Sequence, residues 1–422
     1  MTNRKPGGSL APWQRGMRKS LLLAAAVLLL PAALRAGDGS GSAAPRRDAA
    51  PEETSRTALP NPTYIEGRGF DFRTADGLFD LAVGANLQVR FSDLDIEDAG
   101  RTKEFRVRRF KLSLTGSAFD PRLTYRFQLA FENAGNVRLL DDAWVRWKFG
   151  DALQVQAGQS KTPYGRQELM NDGVLMFAER SIAIDAFKPN RDIGAGVLGF
   201  PSGGVFQYLV GVFGGTGQTT PRASNHVMPI ARVLWSTFGD PGVGEPDLGR
   251  SPQPRFSVGA NGFLNTLEKT SATAFESALP SYASSTGWLG QNVSLFRTGE
   301  DVRIGSAGID AQAAWRGFTL QGEYLVGHAR GVESGVNLNA RGYYVEASAM
   351  VLPRLGLACR YSSIDSNRAV TRDQQTEING AATYYFRKQN AKVLAEYSRR
   401  HRQRPGPPAN DGFLRIQLQL FL

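Results

Sequence analysis

The stretch that decides the fold is RLTYRFQLAFE, residues 122–132. Its apolar side chains occupy every second position, and polar side chains occupy the positions between them. One face holds Leu123, Tyr125, Phe127, Leu129 and Phe131, and the other holds Arg122, Thr124, Arg126, Gln128 and Glu132. An amphipathic helix would need spacings of three and four, so this period of two predicts a β-strand with one apolar and one polar face.

The same alternation recurs from residue 81 onward, in segments of about ten residues, the length that a tilted strand needs to cross a bilayer. Counting the segments gives about sixteen strands, an even number that closes a barrel with both chain ends on one side. We therefore predict an all-β protein, a transmembrane antiparallel β-barrel over residues 77–422. A soluble sandwich would have shorter strands, and a propeller would show a blade repeat, which we do not find.

One segment changes phase within a single strand. Phe105 and Val107 occupy odd positions, whereas Phe110 and Leu112 occupy even ones. An extra residue in the strand would bring both sets onto one outward face, which predicts a bulge near Arg108–Arg109.

The connections between these segments alternate between short and long. Bacterial outer-membrane barrels have short periplasmic turns and long outer loops, and a barrel of about sixteen strands leaves an aqueous lumen. The third long connection covers residues 160–191, and only residues 239–254 are long where a short turn is expected.

The N-terminus carries a pattern typical of export. Five basic residues precede the apolar run 21–30, which Pro31 ends, and small residues follow. This predicts a signal peptide over residues 1–36, cleaved after Ala36, because the run is too short to span a bilayer; a retained membrane anchor is the alternative. Residues 37–76, rich in Gly, Ser, Ala, Pro and charge, are predicted to be a flexible periplasmic leader.

The charge balance and the rare residue types exclude several function classes. Residues 1–36 contain six basic residues and no acid, so their removal lowers the net charge from +11 to +5, which does not favour a nucleic-acid partner. Cys359 stands alone, and the three histidines form no metal-ligand motif. We expect no metal and no cofactor.

Several stretches resemble the phosphate-selective porin O and P family. They are FRVRRF (105–110), LLDDAWVRW (139–147) and the run 156–199, which contains AGQSKTPYG, FAERS and DAFKPNRDIG. The resemblance covers residue 70 to the C-terminus and is strongest before residue 215. It implies a sixteen-stranded barrel, usually trimeric, with an inward-folded third loop at residues 160–191 and basic side chains that attract anions. The chain departs from the usual aromatic C-terminal residue, because Leu422 is last and Phe421 precedes it.

Basic side chains outnumber acidic ones on the polar face of the predicted strands, and the excess is greatest in the first four. A low-dielectric wall focuses such an excess into a potential that concentrates anions. The candidate pore-lining residues are Lys161, Arg166, Lys188, Arg106, Arg108, Arg122, Arg126, Arg146 and Lys148. In the third loop, Glu179–Arg180 and Arg191–Asp192 are interpreted as structural ion pairs that tie the loop to the wall. The alternative is a solvated wall of mutually paired charges.

Together these features predict an outer-membrane porin, a passive channel for small anionic solutes such as phosphate, surrounded by outer-membrane lipid; the resemblance adds a homotrimer. A general porin without selectivity is the first alternative. Two others come from different classes: a barrel enzyme, against which the absence of a Gly-x-Ser-x-Gly motif argues, and a non-conducting structural barrel.

Overall fold

The computed structural model describes residues 62–131, 139–222, 225–237, 245–276 and 280–422. The predicted signal peptide and the predicted leader as far as residue 61 lie outside these residues.

The described residues form eighteen strands, and sixteen of them, β3–β18, make one closed ring. The strands are β1 (Thr63–Ile65), β2 (Gly69–Arg73), β3 (Asp80–Ile96), β4 (Gly100–Ala118), β5 (Asp120–Ala130), β6 (Leu140–Lys148), β7 (Gln154–Lys161), β8 (Arg191–Gly199), β9 (Phe206–Phe213), β10 (Met228–Ser236), β11 (Arg255–Glu268), β12 (Asp301–Trp315), β13 (Phe318–Gly331), β14 (Asn337–Leu352), β15 (Leu355–Asp365), β16 (Gln374–Arg387), β17 (Ala391–Arg402) and β18 (Ala409–Phe421). Each strand of the ring pairs antiparallel with the next, and β18 returns to pair with β3. The predicted antiparallel barrel is confirmed.

The two faces of the strands differ as the alternation predicts. In β12, Asp310 is buried at 4% exposure, whereas its neighbour Ile309 is 62% exposed. Leu320 in β13 and Ile378 in β16 are likewise exposed apolar side chains. The apolar side chains of the ring therefore face outward, as on the lipid-facing surface of a membrane barrel, and the polar side chains face inward.

The predicted bulge in β4 is confirmed. Gln88 of β3 lies opposite Arg109, but the next residue, Val89, lies opposite Val107, so Arg108 is the extra residue. The bulge brings the odd and even apolar positions of β4 onto one outward face. It also turns Arg109 toward the inside of the ring, where its side chain is buried.

The chain joins the sheet earlier than the sequence predicts, because β1 and β2 lie within residues 63–73 of the expected leader. The pairing of β18 with β3 ends where Leu422 exchanges backbone hydrogen bonds with Ala85. The first residues of β3 would then have a free edge, and β2 covers it by pairing with Asp80–Val83. Asp80 further binds Arg73 at 2.9 Å and Arg68.

The connections differ at the two ends of the ring. One end has tight turns, such as Arg316-Gly317 between β12 and β13, where both residues have positive φ as a two-residue hairpin requires. The β10–β11 connection is the long exception at this end, as the sequence predicts, and its residues from Glu245 onward are described.

The β7–β8 connection contains the two α-helices of the described chain, α1 (Arg166–Leu169) and α2 (Ile182–Phe187). Short 3-10 turns occur at Asp172–Val174, Ser202–Gly204, Ser281–Ala283 and Gly290–Leu295. Within the described ranges no helix has the length and apolar character needed to cross a membrane.

An apolar core lies at the end with the long connections. There α2 and the β11–β12 connection pack together, with Phe187 stacked on Trp288 at 5.9 Å between ring centroids. The inward side chains of β12 are apolar at this end of the strand, where Val302 and Ile304 belong to the core. This half of the lumen is filled by protein.

We expect Ile309→Arg to lower the free energy of unfolding by about 2–4 kcal/mol, because a charge on the lipid face near the bilayer midplane costs about that much. Guanidinium titration of the barrel in phospholipid vesicles measures this loss. The control Ile309→Val should cost less than about 1.5 kcal/mol. Equal losses for the two substitutions would contradict the outward assignment of this face.

Candidate functional site

The connection between β7 and β8, residues 162–190, binds inward side chains of many strands of the ring; we call it the 162–190 segment. Its partners lie in β3, β4, β11–β15, β17 and β18. Strands β3 and β12 occupy nearly opposite places in the ring. Almost all of the segment's side chains are buried.

Glu179 is the first of three acidic anchors in the 162–190 segment. Its carboxylate accepts hydrogen bonds from Arg90 at 2.6 Å, Arg108 at 2.7 Å and Arg109 at 3.0 Å. Burial alone would raise the pKa of Glu179, but the charges of the three arginines outweigh it and hold the pKa well below its usual range. Glu179 therefore offsets part of the positive charge of β3 and β4.

Asp172 and Glu168 are the other two acidic anchors. Asp172 binds Lys111 at 2.8 Å and Arg180 at 2.6 Å. Glu168 binds Lys188 at 3.0 Å and Arg180 at 3.2 Å. Burial opposes ionisation of both carboxyls, yet these basic neighbours lower both pKa values.

Two lysines hold the main chain of the segment from opposite walls. Lys161, at the end of β7, donates to the carbonyl oxygens of Glu168 and Met170 at 2.6 and 2.7 Å. Lys392 of β17 donates to the carbonyl oxygens of Gly173 and Leu175 at 3.0 and 2.9 Å. Each ammonium group thereby supplies hydrogen bonds to carbonyl oxygens that have no partner within a helix or strand.

Arg166 and Arg232 share one carboxylate. Asp310 accepts from Arg166 Nε at 2.8 Å and from Arg232 at 2.6 Å, and its side chain is fully buried. Glu323 accepts the backbone N–H groups of Arg166 and Gln167, both at 2.7 Å. These bonds dock α1 on β12 and β13.

Open space inside the ring lies along β3–β8. A cavity of about 750 Å³, here the first cavity, runs between these strands and the 162–190 segment. Six basic and three acidic residues line it. The basic residues are Arg68, Lys111, Arg126, Arg146, Lys161 and Arg191, and the acidic ones are Asp80, Asp142 and Asp172.

Arg146 differs from the other arginines of this cavity. Its guanidinium donates to the amide oxygen of Gln156 at 2.6 and 3.1 Å and lies 4.6 Å over the ring of Trp144. No carboxylate among the described residues lies within salt-bridge distance of it. Its charge is therefore held in place by neutral partners.

The comparison with known families decides what this barrel is. A family model described as phosphate-selective porin O and P matches residues 81–421. The chain belongs to that family. It is an outer-membrane porin, and the resemblance noted in the sequence is confirmed.

Solved structures show the same fold at low sequence identity. The anion-selective porin from Comamonas acidovorans aligns with a TM-score of 0.57 and 12% identity, covering 81% of this chain and 100% of that one. The trimer form of OmpT from Vibrio cholerae gives 0.54 and 12%, covering 80% and 99%. The channel DcaP of Acinetobacter baumannii gives 0.53 and 9%, covering 83% and 99%. No curated protein matches the sequence.

The porin places its predicted loop candidates inside the protein rather than at the cavity surface. Arg166 and Lys188 are buried in ion pairs, with Asp310 and with Glu168 and Asp185. Lys161 reaches the first cavity, although its ammonium is bound to carbonyl oxygens.

The predicted strand candidates separate into three groups. Arg126 and Arg146 line the first cavity, and Arg126 is paired with Asp142 at 3.1 Å. Arg108 binds Glu179. The remaining three are exposed and pair with near neighbours: Arg106 with Glu104, Arg122 with Asp120 and Lys148 with Asp151.

The four residues of the two predicted loop pairs bind other partners than those predicted. Glu179 binds arginines of the wall, and Arg180 binds Glu168 and Asp172 instead. Arg191 binds Asp142 at 2.7 Å, whereas Asp192 accepts backbone N–H groups of Ile193 and Gly215. Arg191 and Asp192 are neighbours in β8, where successive side chains point to opposite faces, so each binds a partner on its own face.

Two residues of this site were missed by the sequence reasoning. Arg109 binds Glu179 and Gln88, and the predicted bulge was the signal that turns it inward. Glu245, in the unusually long β10–β11 connection, accepts the N–H of Met176 at 2.5 Å and the amide of Gln167 at 2.8 Å. Over the described ranges, no group of His, Cys, Asp or Glu could hold a metal ion.

We expect the 162–190 segment to stay attached to the wall on mild acidification. When a carboxyl group has a lower pKa in the folded protein than in the unfolded chain, its ionisation stabilises the fold. This stabilisation is complete above the unfolded pKa, which is about 4.3 for Glu, and it is lost as the pH falls through the folded pKa. Because Glu168, Asp172 and Glu179 all have lowered pKa values, protease resistance of the segment should be constant from pH 7 to about 5. Cleavage that rises within this window would contradict the prediction.

We expect Glu179→Gln to destabilise the porin by about 2 kcal/mol, because hydrogen bonds to a charged group contribute about that much and three guanidinium groups lose their carboxylate. Thermal unfolding in detergent measures the loss. Asp151→Asn is the matched control, since it removes a carboxylate from an exposed ion pair of little net value. Equal shifts for both variants would show that Glu179 anchors nothing.

Proposed function

We propose that this porin is a passive, anion-preferring channel for small solutes such as phosphate. The observation that carries the proposal is the lining of the first cavity, where basic residues outnumber acidic ones by six to three and Arg146 has no carboxylate partner within the described part of the chain. The family description, phosphate-selective porin, and the anion-selective porin among the similar structures agree with it.

The physical basis is electrostatic focusing. A cleft lined by one sign of charge between low-dielectric walls raises the local concentration of counter-ions. Most of the cavity's bases are paired, which leaves Arg146 as the guanidinium whose field is least cancelled. Its planar fork also suits phosphate or carboxylate oxygens.

We infer that the 162–190 segment is the inward-folded third loop and narrows the channel. Its bonds to strands on opposite sides of the ring, from Arg90 in β3 to Asp310 in β12, support this arrangement. The route for solutes then follows β3–β8, because the apolar core and the segment occupy the other side.

The rest of the biological setting belongs to the same proposal. Residues 1–36 act as a cleaved signal peptide, the tight turns face the periplasm, and three copies assemble in outer-membrane lipid. The trimer form of one similar structure, OmpT from Vibrio cholerae, supports this assembly. The chain works as a channel and not as an enzyme. A general, unselective porin is the alternative that the experiment below would reveal.

We expect Arg146→Gln to lower the chloride-to-potassium permeability ratio by about fivefold, since a unit charge about 4 Å from an ion in water contributes about 1 kcal/mol. The reversal potential of reconstituted channels in a potassium chloride gradient measures the ratio, before and after phosphate is added. Arg122→Gln is the control, because Arg122 is exposed, paired with Asp120 and outside the cavity lining. A wild-type channel without anion preference would overturn the proposal.

A further inference from the structure

A second cavity of about 290 Å³ adjoins the first between the 162–190 segment and strands β8–β10. Arg146 lines both cavities, so it stands where one opens toward the other. The second cavity combines two kinds of surface, a group of arginines and an aliphatic wall.

The aliphatic wall is unusual for its place in the barrel. Leu198 and Leu209 lie opposite each other in β8 and β9, and Leu209 lies opposite Arg232 in β10. Leu234 extends the same inward face, two residues beyond Arg232. Inward positions of a water-filled barrel are normally polar, and these leucines lie outside the apolar core that covers the inward faces near α2.

Three arginines form the cationic side. Arg166 and Arg232 share the single carboxylate of Asp310, and Arg146 has only amide oxygens and an aromatic ring as partners among the described residues. Among the described residues, no aspartate or glutamate lines this cavity. An anion that enters it is therefore close to these three arginines.

We propose that the second cavity is a binding subsite for small organic acids, in which a carboxylate meets the arginines and an aromatic or branched aliphatic body packs on the leucines. The inference rests on the proposed anion channel and names a solute class for it. An aliphatic wall does not improve the binding free energy of a hydrated inorganic anion. An apolar group binds there favourably, because its apolar surface is removed from water. The volume lies at the lower end of small-molecule sites, which suits a single ring.

The test compares benzoate with acetate as blockers of chloride current through the reconstituted full-length porin. We expect the half-blocking concentration of benzoate to be at least about tenfold lower, because even a small apolar group in a hydrophobic pocket changes binding by that order. Leu234→Ser should reduce the ratio of the two half-blocking concentrations, acetate to benzoate, toward one. The control Leu234→Met, which conserves volume and apolarity, should keep it. Leu209→Ser is the second variant if Leu234→Ser does not insert.

The outcomes separate the subsite from the channel. Equal block by benzoate and acetate in an anion-selective wild-type channel would overturn the subsite and leave the proposed function in place. A benzoate preference that survives both serine substitutions would also overturn it. A preference that Leu234→Ser removes, in a channel without chloride selectivity, would support the subsite and overturn the proposed anion preference.

Discussion

The rest of the structure depends on the closure of the ring by β18 and β3. Hydrocarbon offers no hydrogen-bond partner to backbone groups, so a sheet can cross a membrane only when its first and last strands pair. Closure fixes which face of every strand is outside, and the period of two follows from it: apolar residues face outward and polar ones inward. The same constraint explains β2, which pairs with the part of β3 that β18 does not reach.

Closure of the ring also brings basic side chains of neighbouring strands close together, and the 162–190 segment reduces their mutual repulsion. Strands β3 and β4 direct a cluster of arginines and a lysine into a confined space, where like charges repel. Three acidic residues of the segment, Glu168, Asp172 and Glu179, neutralise bases of the wall and of the segment itself. Only the basic side chains that are not paired with a carboxylate therefore present their full charge to a solute. Arg146 matters because of what surrounds it, and the number of arginines on a strand face is a poor guide to selectivity.

The sequence was sufficient wherever the controlling interactions are local. Alternation around Arg122–Glu132 predicted strands, the phase change predicted the bulge at Arg108, and connection lengths singled out both the β7–β8 connection and the β10–β11 exception. It failed where partners are far apart in the chain. Nothing near Arg166 indicates that Asp310 will bind it, and Glu179 was assigned to its neighbour Arg180 although its partners are 70 to 89 residues away. Strand register around a closed ring decides these pairs.

The position of Leu422 has a practical consequence for work with this porin. Leu422 is hydrogen-bonded to Ala85, and together with Phe421, Gly67 and Arg68 it lines the first cavity. A purification tag or reporter fused after Leu422 would begin at the mouth of that cavity and beside the seam of the barrel. Epitopes inserted into the connection at residues 332–336, on the opposite rim, would leave both the seam and the opening untouched.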